Sequence, residues 1–415
     1  MNHRGSRLAR LARWWAVVLA AAVLIGMALV LAISVLGDGR GRGERPPAAT
    51  AALPSARISA DLPTLHQVQF QREIRLGWKT DFSKRIVPMT HFLRGGPPRD
   101  GIPPLDRPRV VSLRAGDRFL DPREPVIAVE VAGRARAYPY RLLIWHEIAN
   151  DVLGGRPIAV TYCPLCNSAL AWARTVGGRV LRFGTTGNLR NSDLVMWDRA
   201  TQSWWQQFTG QALVGSYAGT RLRPVDAQTL SWADFKARYR GGDVLSQSTG
   251  FDRPYGINPY RRYDAPDGRP LRFNGRSDGR LPAMERVAAV TIGDDTAVVP
   301  FSTLARRHVV QATIGGTPAA VFHKRGVVSA LDGSSIPDSR DVGTAAAFDR
   351  RLAGRTLDFA ARGDGTFADR QTGSIWDVTG QAVAGPLRGE RLVALRHDEP
   401  FWFAVGAFHP RARVL

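Results

Sequence analysis

The stretch "VTYCPLCNSAL" holds both cysteines of the 415-residue chain, Cys163 and Cys166, with only Pro164 and Leu165 between them. A pair this close suits thiol–disulfide exchange, in which one thiolate attacks and its neighbour resolves the mixed disulfide. It also suits a soft metal ion. With the imidazole of His146, the two thiolates make a three-ligand set with one open position, fit for zinc or Cu(I). Glu147, next to His146, is placed to carry a proton for such a centre. The third possibility is a non-catalytic binding or structural module in which the cysteines form a clip. Closing so short a loop removes little chain entropy, so stabilisation alone is a weak reason for the pair. The His-x-Glu…Pro-Cys-x-x-Cys signature of zinc deaminases shares only ingredients with this chain, because here His and Glu are contiguous and the proline lies inside the pair.

The elements that must position these residues occur twice. Residues 125–170, "PVIAVEVAGRARAYPYRLLIWHEIANDVLGGRPIAVTYCPLCNSAL", match residues 286–331, "RVAAVTIGDDTAVVPFSTLARRHVVQATIGGTPAAVFHKRGVVSAL", at a constant offset of 161. The match includes Ser168-Ala169-Leu170 against Ser329-Ala330-Leu331. It resumes at "DRATQSWWQQFTGQALVG" from Asp198 and "DRQTGSIWDVTGQAVAG" from Asp369. A tandem duplication follows. The shared glycines, prolines and tryptophans (Trp204, Trp205 and Trp376 among them) read as scaffold and core. His146 stands opposite Arg307, Cys163 opposite Lys324 and Cys166 opposite Val327, so the second copy is blank at the reactive positions. The segment "GTTGNLRNSDLVMW" also has no equal in the second copy. It contributes Asn188, Asn191, Ser192 and Asp193 as a polar loop bordering the site, where a cofactor or substrate would be met.

"VIAVEVAG" and "PIAVTY" are β-branched runs bounded by Gly and Pro and read as strands. "YRLLIWHEIANDVLGG" has helical spacing at Leu142, Trp145, Ile148, Ala149 and Val152 with a Gly stop, which predicts a single helix per copy. The fold class is therefore α+β, mainly β: a duplicated barrel- or sandwich-like unit with one helix per repeat.

Five stretches, "GWKTDFSK", "GGPPRDGIPPLDRP", "RAYPYRLLIWHEIANDVLGGRPIAVTYCPLCNSA", "FGTTGNLRNSDLVMWDRATQSWWQQFTGQALVG" and "YGINPYRRYD", resemble a prokaryotic family catalogued as domain of unknown function 3179. The resemblance runs from about Gly77 to the C-terminus; Trp197 stands where a tyrosine is more usual. It implies a family but no reaction, cofactor or partner.

The organisation around this body follows from composition. A chain with 44% hydrophobic residues buries a large core, and length suggests more than one domain. Net charge is +21, yet only Lys79, Lys84, Lys236 and Lys324 are lysines and the arginines are scattered, which excludes a nucleic-acid-binding stripe. Residues 14–36 ("WWAVVLAAAVLIGMALVLAISVL") are long enough at about 1.5 Å per residue to span a bilayer core of roughly 30 Å. The arginines at 4, 7, 10 and 13 put a basic tail, 1–13, in the cytoplasm. The expected order is then a transmembrane helix at 14–36, contacting the lipid bilayer, a flexible linker at 37–60, an N-terminal extension at 61–124, repeat 1 at 125–245, a connecting segment at 246–285 and repeat 2 at 286–415. The body is expected in the periplasm or outside the cell, on a single-pass anchor in the cytoplasmic membrane.

Overall fold

The computed structural model describes residues 72–415. The basic tail, the membrane span, the linker and the first part of the 61–124 extension lie outside the described residues. Among the described residues no helix is long and apolar enough to cross a membrane. The chain is mainly β, with several largely antiparallel sheets.

Pro125–Val131 (β1) and Arg134–Pro139 (β2) form a hairpin, and Tyr140–His146 (α1) follows directly. Here the structure corrects the long helix read from "YRLLIWHEIANDVLGG". The helix stops at His146, Glu147 adopts a left-handed backbone with φ +56°, and Ile148–Leu153 (β3) is a strand. The apolar residues of β3 are spaced as on a helix, and long-range pairing overrides that spacing. β3 forms a hairpin with Arg156–Cys163 (β4) through Gly154-Gly155, and the Glu147 carbonyl accepts from Tyr162 N at 2.9 Å. Only glycine fits at 154, because a Cβ there would lie 2.2 Å from the Val131 carbonyl oxygen.

Ser168–Ala173 (β5) pairs with β4, Cys163 opposite Ser168. Phe183–Arg190 (β6), Asp193–Asp198 (β7), Trp204–Gln206 (β8) and Ala212–Val214 (β9) form the next sheet. The expected loop at 188–193 is thus a tight hairpin. Asn191 and Ser192 both have positive φ (52° and 62°), the requirement of a two-residue turn that matches strand twist. Ala227–Ser231 (β10) returns to β1 and leads into a second helix, Trp232–Arg238 (α2), capped by the Ser231 hydroxyl on Asp234 N.

A like series follows: Val287–Ile292 (β11), Asp295–Pro300 (β12), Phe301–Arg307 (α3), Val309–Ile314 (β13), Thr317–Lys324 (β14), Thr344–Asp349 (β15), Phe359–Ala361 (β16), Phe367–Asp369 (β17), Ile375–Trp376 (β18), Ala382–Ala384 (β19), His397–Asp398 (β20) and Trp402–Phe408 (α4). Each series has two short helices rather than one. The register also corrects the "SAL" match. Lys324 pairs with Thr344, as Cys163 pairs with Ser168, so β15 and not residues 329–331 stands where β5 does. The turn 164–167 of the first series is replaced by the long segment 325–343, and Cys166 is not opposite Val327. One polar network recurs in detail: Asp198 accepts from Trp205 Nε1 at 3.0 Å and Thr201 N at 2.7 Å, and Asp369 accepts from Trp376 Nε1 at 2.9 Å and Thr372 N at 2.6 Å. Trp204, Trp205 and Trp376 are all fully buried.

The two series share core: Ile127, Tyr162 and Leu170 pack in one cluster with Val287, Val298 and Phe401. Their seam carries buried acids. Asp398 accepts from Ser168 Oγ (2.7 Å) and Ala169 N (3.0 Å), and Glu399 accepts from Thr344 Oγ1 (2.7 Å) and Ala345 N (2.8 Å) while its other oxygen has no partner among the described residues. Burial pushes the Glu399 carboxyl up to about 7, against the pull of Arg286. Its folded value lies above the ordinary 4.5, so its contribution to stability is full below that pH and lost as pH rises through 7. The span amounts to roughly 3 kcal/mol. Between pH 4.5 and 8, denaturant unfolding of the wild type should therefore lose more stability than Glu399→Gln does. Parallel curves for the two proteins would show that the carboxyl ionises freely.

Candidate functional site

β4 delivers Cys163 as its last residue, and the turn 164–167 brings Cys166 back beneath it. Three bonds fix that turn from outside: Phe401 N donates to the Cys166 carbonyl (2.9 Å), the Tyr263 hydroxyl to the Leu165 carbonyl (2.8 Å), and Asn167 Nδ2 to the Glu399 carbonyl (2.7 Å). The β6–β7 hairpin presents Asp193 from the other side. Cys163 Sγ, Cys166 Sγ and an Asp193 carboxylate oxygen all lie within 4.8 Å of one another, and all three residues are buried.

Asp193 is held by both oxygens. Oδ1 accepts from the Cys166 thiol at 3.1 Å; Oδ2 accepts from Gln206 Nε2 at 2.5 Å and Phe208 N at 3.0 Å. Burial raises the carboxyl to about 6, and these donors restrain it from going further. Burial likewise pushes both thiols up, Cys166 the more strongly. Both stay protonated at neutral pH, the opposite of the electropositive, partly exposed setting of an exchange thiol. A metal ion would take the place of those protons. Tetrahedral zinc bonds of about 2.3 Å to sulfur and 2.0 Å to oxygen imply an S···O separation of about 3.5 Å, which the Cys166–Asp193 contact approaches.

The structure does not bring His146, an expected ligand, into this group. The ring is buried with Nδ1 2.7 Å from the Pro103 carbonyl and Nε2 2.6 Å from the Tyr255 hydroxyl. The carbonyl must be met by an N–H, so Nδ1 donates and Nε2 accepts from Tyr255, leaving no lone pair for a metal. Burial depresses the imidazole to about 4, so it stays neutral. The early end of α1 is the cause: His146 and Glu147 leave in different directions once the chain reverses at φ +56°.

Glu147 points to the site. It is buried, its carboxyl takes no hydrogen bond from any described residue, and it borders a cavity of about 350 Å³ with Ile102, Leu165, Asn188, Leu194 and Tyr260. Burial raises its carboxyl to about 8, and the nearby Asp193 adds to the effect. Of the remaining expected residues, Asn188 lines the cavity, its backbone N bonded to Thr186 Oγ1 (3.0 Å). Ser192 is buried and donates to the Leu271 carbonyl (2.5 Å), and Asn191 takes the hairpin turn, its N donating to Asn274 Oδ1 (3.3 Å). Both support the Asp193 hairpin rather than face the cavity.

Gln206 was missed in the sequence. It orients Asp193, and its Oε1 accepts from Arg190 at 3.1 Å. The comparison between series contained the signal: Trp205 and Trp376 correspond, and the next residue is Gln206 in one and Asp377 in the other.

The family described as Protein of unknown function (DUF3179) matches residues 99–412. No curated protein and no solved structure matches the chain.

Holding a non-glycine residue at φ +56° costs roughly 1 kcal/mol, and an unpartnered buried carboxyl adds to it. Glu147→Gly should therefore raise the unfolding free energy by about 1–2 kcal/mol in a denaturant titration. A loss of stability instead would mean that the Glu147 side chain props the structure rather than serving the cavity.

Proposed function

Since the chain belongs to the DUF3179 family, whose description assigns no reaction, we propose from the site's geometry that Cys163, Cys166 and Asp193 bind one metal ion, with Glu147 handling a proton in the adjoining cavity. The observation that carries this reading is the division of Asp193: two donors fix Oδ2, and Oδ1 is left to the Cys166 sulfur. Held oxygens of this kind accompany metal ligands generally. A carboxylate with two thiolates favours zinc over Cu(I), which prefers sulfur alone. The metal would supply Lewis-acid polarisation of a group bound in the cavity. Glu147, protonated at neutral pH and facing that cavity, donates a proton to a ligand or holds one through a turnover; Asn188 offers it a polar contact.

Thiol–disulfide exchange is the second reading, favoured by the Cys-x-x-Cys spacing and opposed by the complete burial of both sulfurs. We read the two element series as copies of one ancestral unit, of which only the first retains thiols. The apolar run 14–36 anchors the chain in the lipid bilayer, and the folded body works outside the cytoplasm.

Elemental analysis of the full-length protein purified in detergent separates the readings. Wild type and His146→Ala should each retain about one zinc per chain. Cys163→Ser and Cys166→Ser should retain none, and Gln206→Ala should bind zinc about 10–100-fold more weakly. Loss of metal in His146→Ala alone, or a metal-free wild type whose two thiols titrate reversibly, would refute the ligand set.

A further inference from the structure

A second cleft, of about 640 Å³, lies where the β6–β7 sheet meets the C-terminal segment and is lined by Arg190, Arg221, Arg396, Arg411 and His409, with Asp294 at its β11–β12 rim. None of these four arginines makes an ion pair among the described residues. On a chain of net charge +21 an unpaired surface arginine is ordinary, so exposed Arg221 and Arg411 alone mean little. Arg190 and Arg396 are different. Only three described guanidinium groups, those of Arg174, Arg190 and Arg396, have a pKa shifted downward on balance, with burial as the first cause. Arg174 is met by the carbonyls of Ile158, Leu181 and Asp151. The other two both open into this cleft.

The arrangement is also crowded with like charge. After burial, Arg396 feels Asp398 first and the like charge of Arg221 second, and Arg396 and Arg221 together hold the His409 imidazole near 4, again after burial as the first cause. Guanidinium planes lie over aromatic faces, Arg396 over Trp172 at 5.1 Å and Arg190 over Phe408 at 5.5 Å, which pins them toward the opening. Asp398 acts on Arg396 and Asp193 on Arg190 as counter-charges, yet both guanidinium groups stay partly desolvated without an ion pair, and an anion in the cleft would give them a directly bonded partner. The forked donors of arginine match carboxylate and phosphate oxygens in pairs.

We propose that this cleft binds a small multiply charged oxyanion, a compact molecule bearing phosphate or carboxylate groups, at a site separate from the thiol centre. Its volume falls within the range of small-molecule sites and exceeds what a single inorganic phosphate fills. The reading stands on the arginine cluster and is independent of any metal at Cys163.

Calorimetric titration of the full-length protein with pyrophosphate and, separately, with citrate at about 0.1 M salt tests it. Saturable binding of one molecule per chain is expected, and the better of the two anions identifies the phosphate or carboxylate class. Arg221→Gln/Arg396→Gln should weaken binding at least tenfold, whereas Arg306→Gln/Arg355→Gln, which removes equal charge outside the cleft, should change it less than twofold. Should the first variant fail to fold, Arg221→Gln/Arg411→Gln, which alters only exposed side chains, carries the same expectation. No saturable binding of either anion, or equal weakening by the control pair, overturns the proposal.

Discussion

A carboxylate sealed from water must be met by donors or keep its proton, and Asp193 is where this constraint shapes the molecule. Its two oxygens need the Gln206 amide, the Phe208 backbone N–H and a thiol at the same time. Those three come from β8, from the residues after it and from the turn between β4 and β5. The hairpin that carries Asp193 is accordingly as tight as a hairpin can be, two residues with positive φ. The Cys turn is likewise fixed from the second series, by Phe401 N on the Cys166 carbonyl and by the Glu399 carbonyl that the turn's own Asn167 meets.

The same physics links the site to its surroundings. Gln206 reads both ways, donating to Asp193 and accepting from Arg190, whose guanidinium reaches the basic cleft. A buried amide with both ends engaged holds one orientation, so the direction of the Asp193 carboxylate is set by a residue outside the thiol centre. At the seam, Asp398 bonds β5 while Glu399 bonds β15, and the adjacent acids tie the equivalent strands of the two series together.

Much of this was legible in the chain. Apolar runs bounded by Gly and Pro marked β1 and β4, the paired tryptophans marked core, and Asp193 stood among the expected polar residues. What failed had a common cause, long-range pairing. Ile148, Ala149 and Val152 are spaced as on a helix, and pairing with β4 overrides that spacing. The three-residue "SAL" identity looked like register, but ladder bonding puts Thr344 in that place. The His146 imidazole lies outside the thiol group, bonded to Pro103 and Tyr255, a placement that residue types alone do not reveal.

The reversal itself recurs. Glu147 and His308 both end their helices with φ near +57°, both amides donate to the residue four earlier at 2.7 Å, and both carbonyls accept from the neighbouring strand. Glycine would remove the backbone cost at either position, yet neither has it. Each residue instead borders a cavity, the first with Asn188 and Tyr260, the second, of about 400 Å³, with His323 and Lys324. His323 there is buried, and among the described residues neither ring nitrogen has a hydrogen-bond partner. At the residue that ends the helix, the second series therefore presents an imidazole where the first presents a carboxyl. The strained turn is common architecture that aims a side chain into a cavity, and the identity of that side chain separates the chemistry of the two series.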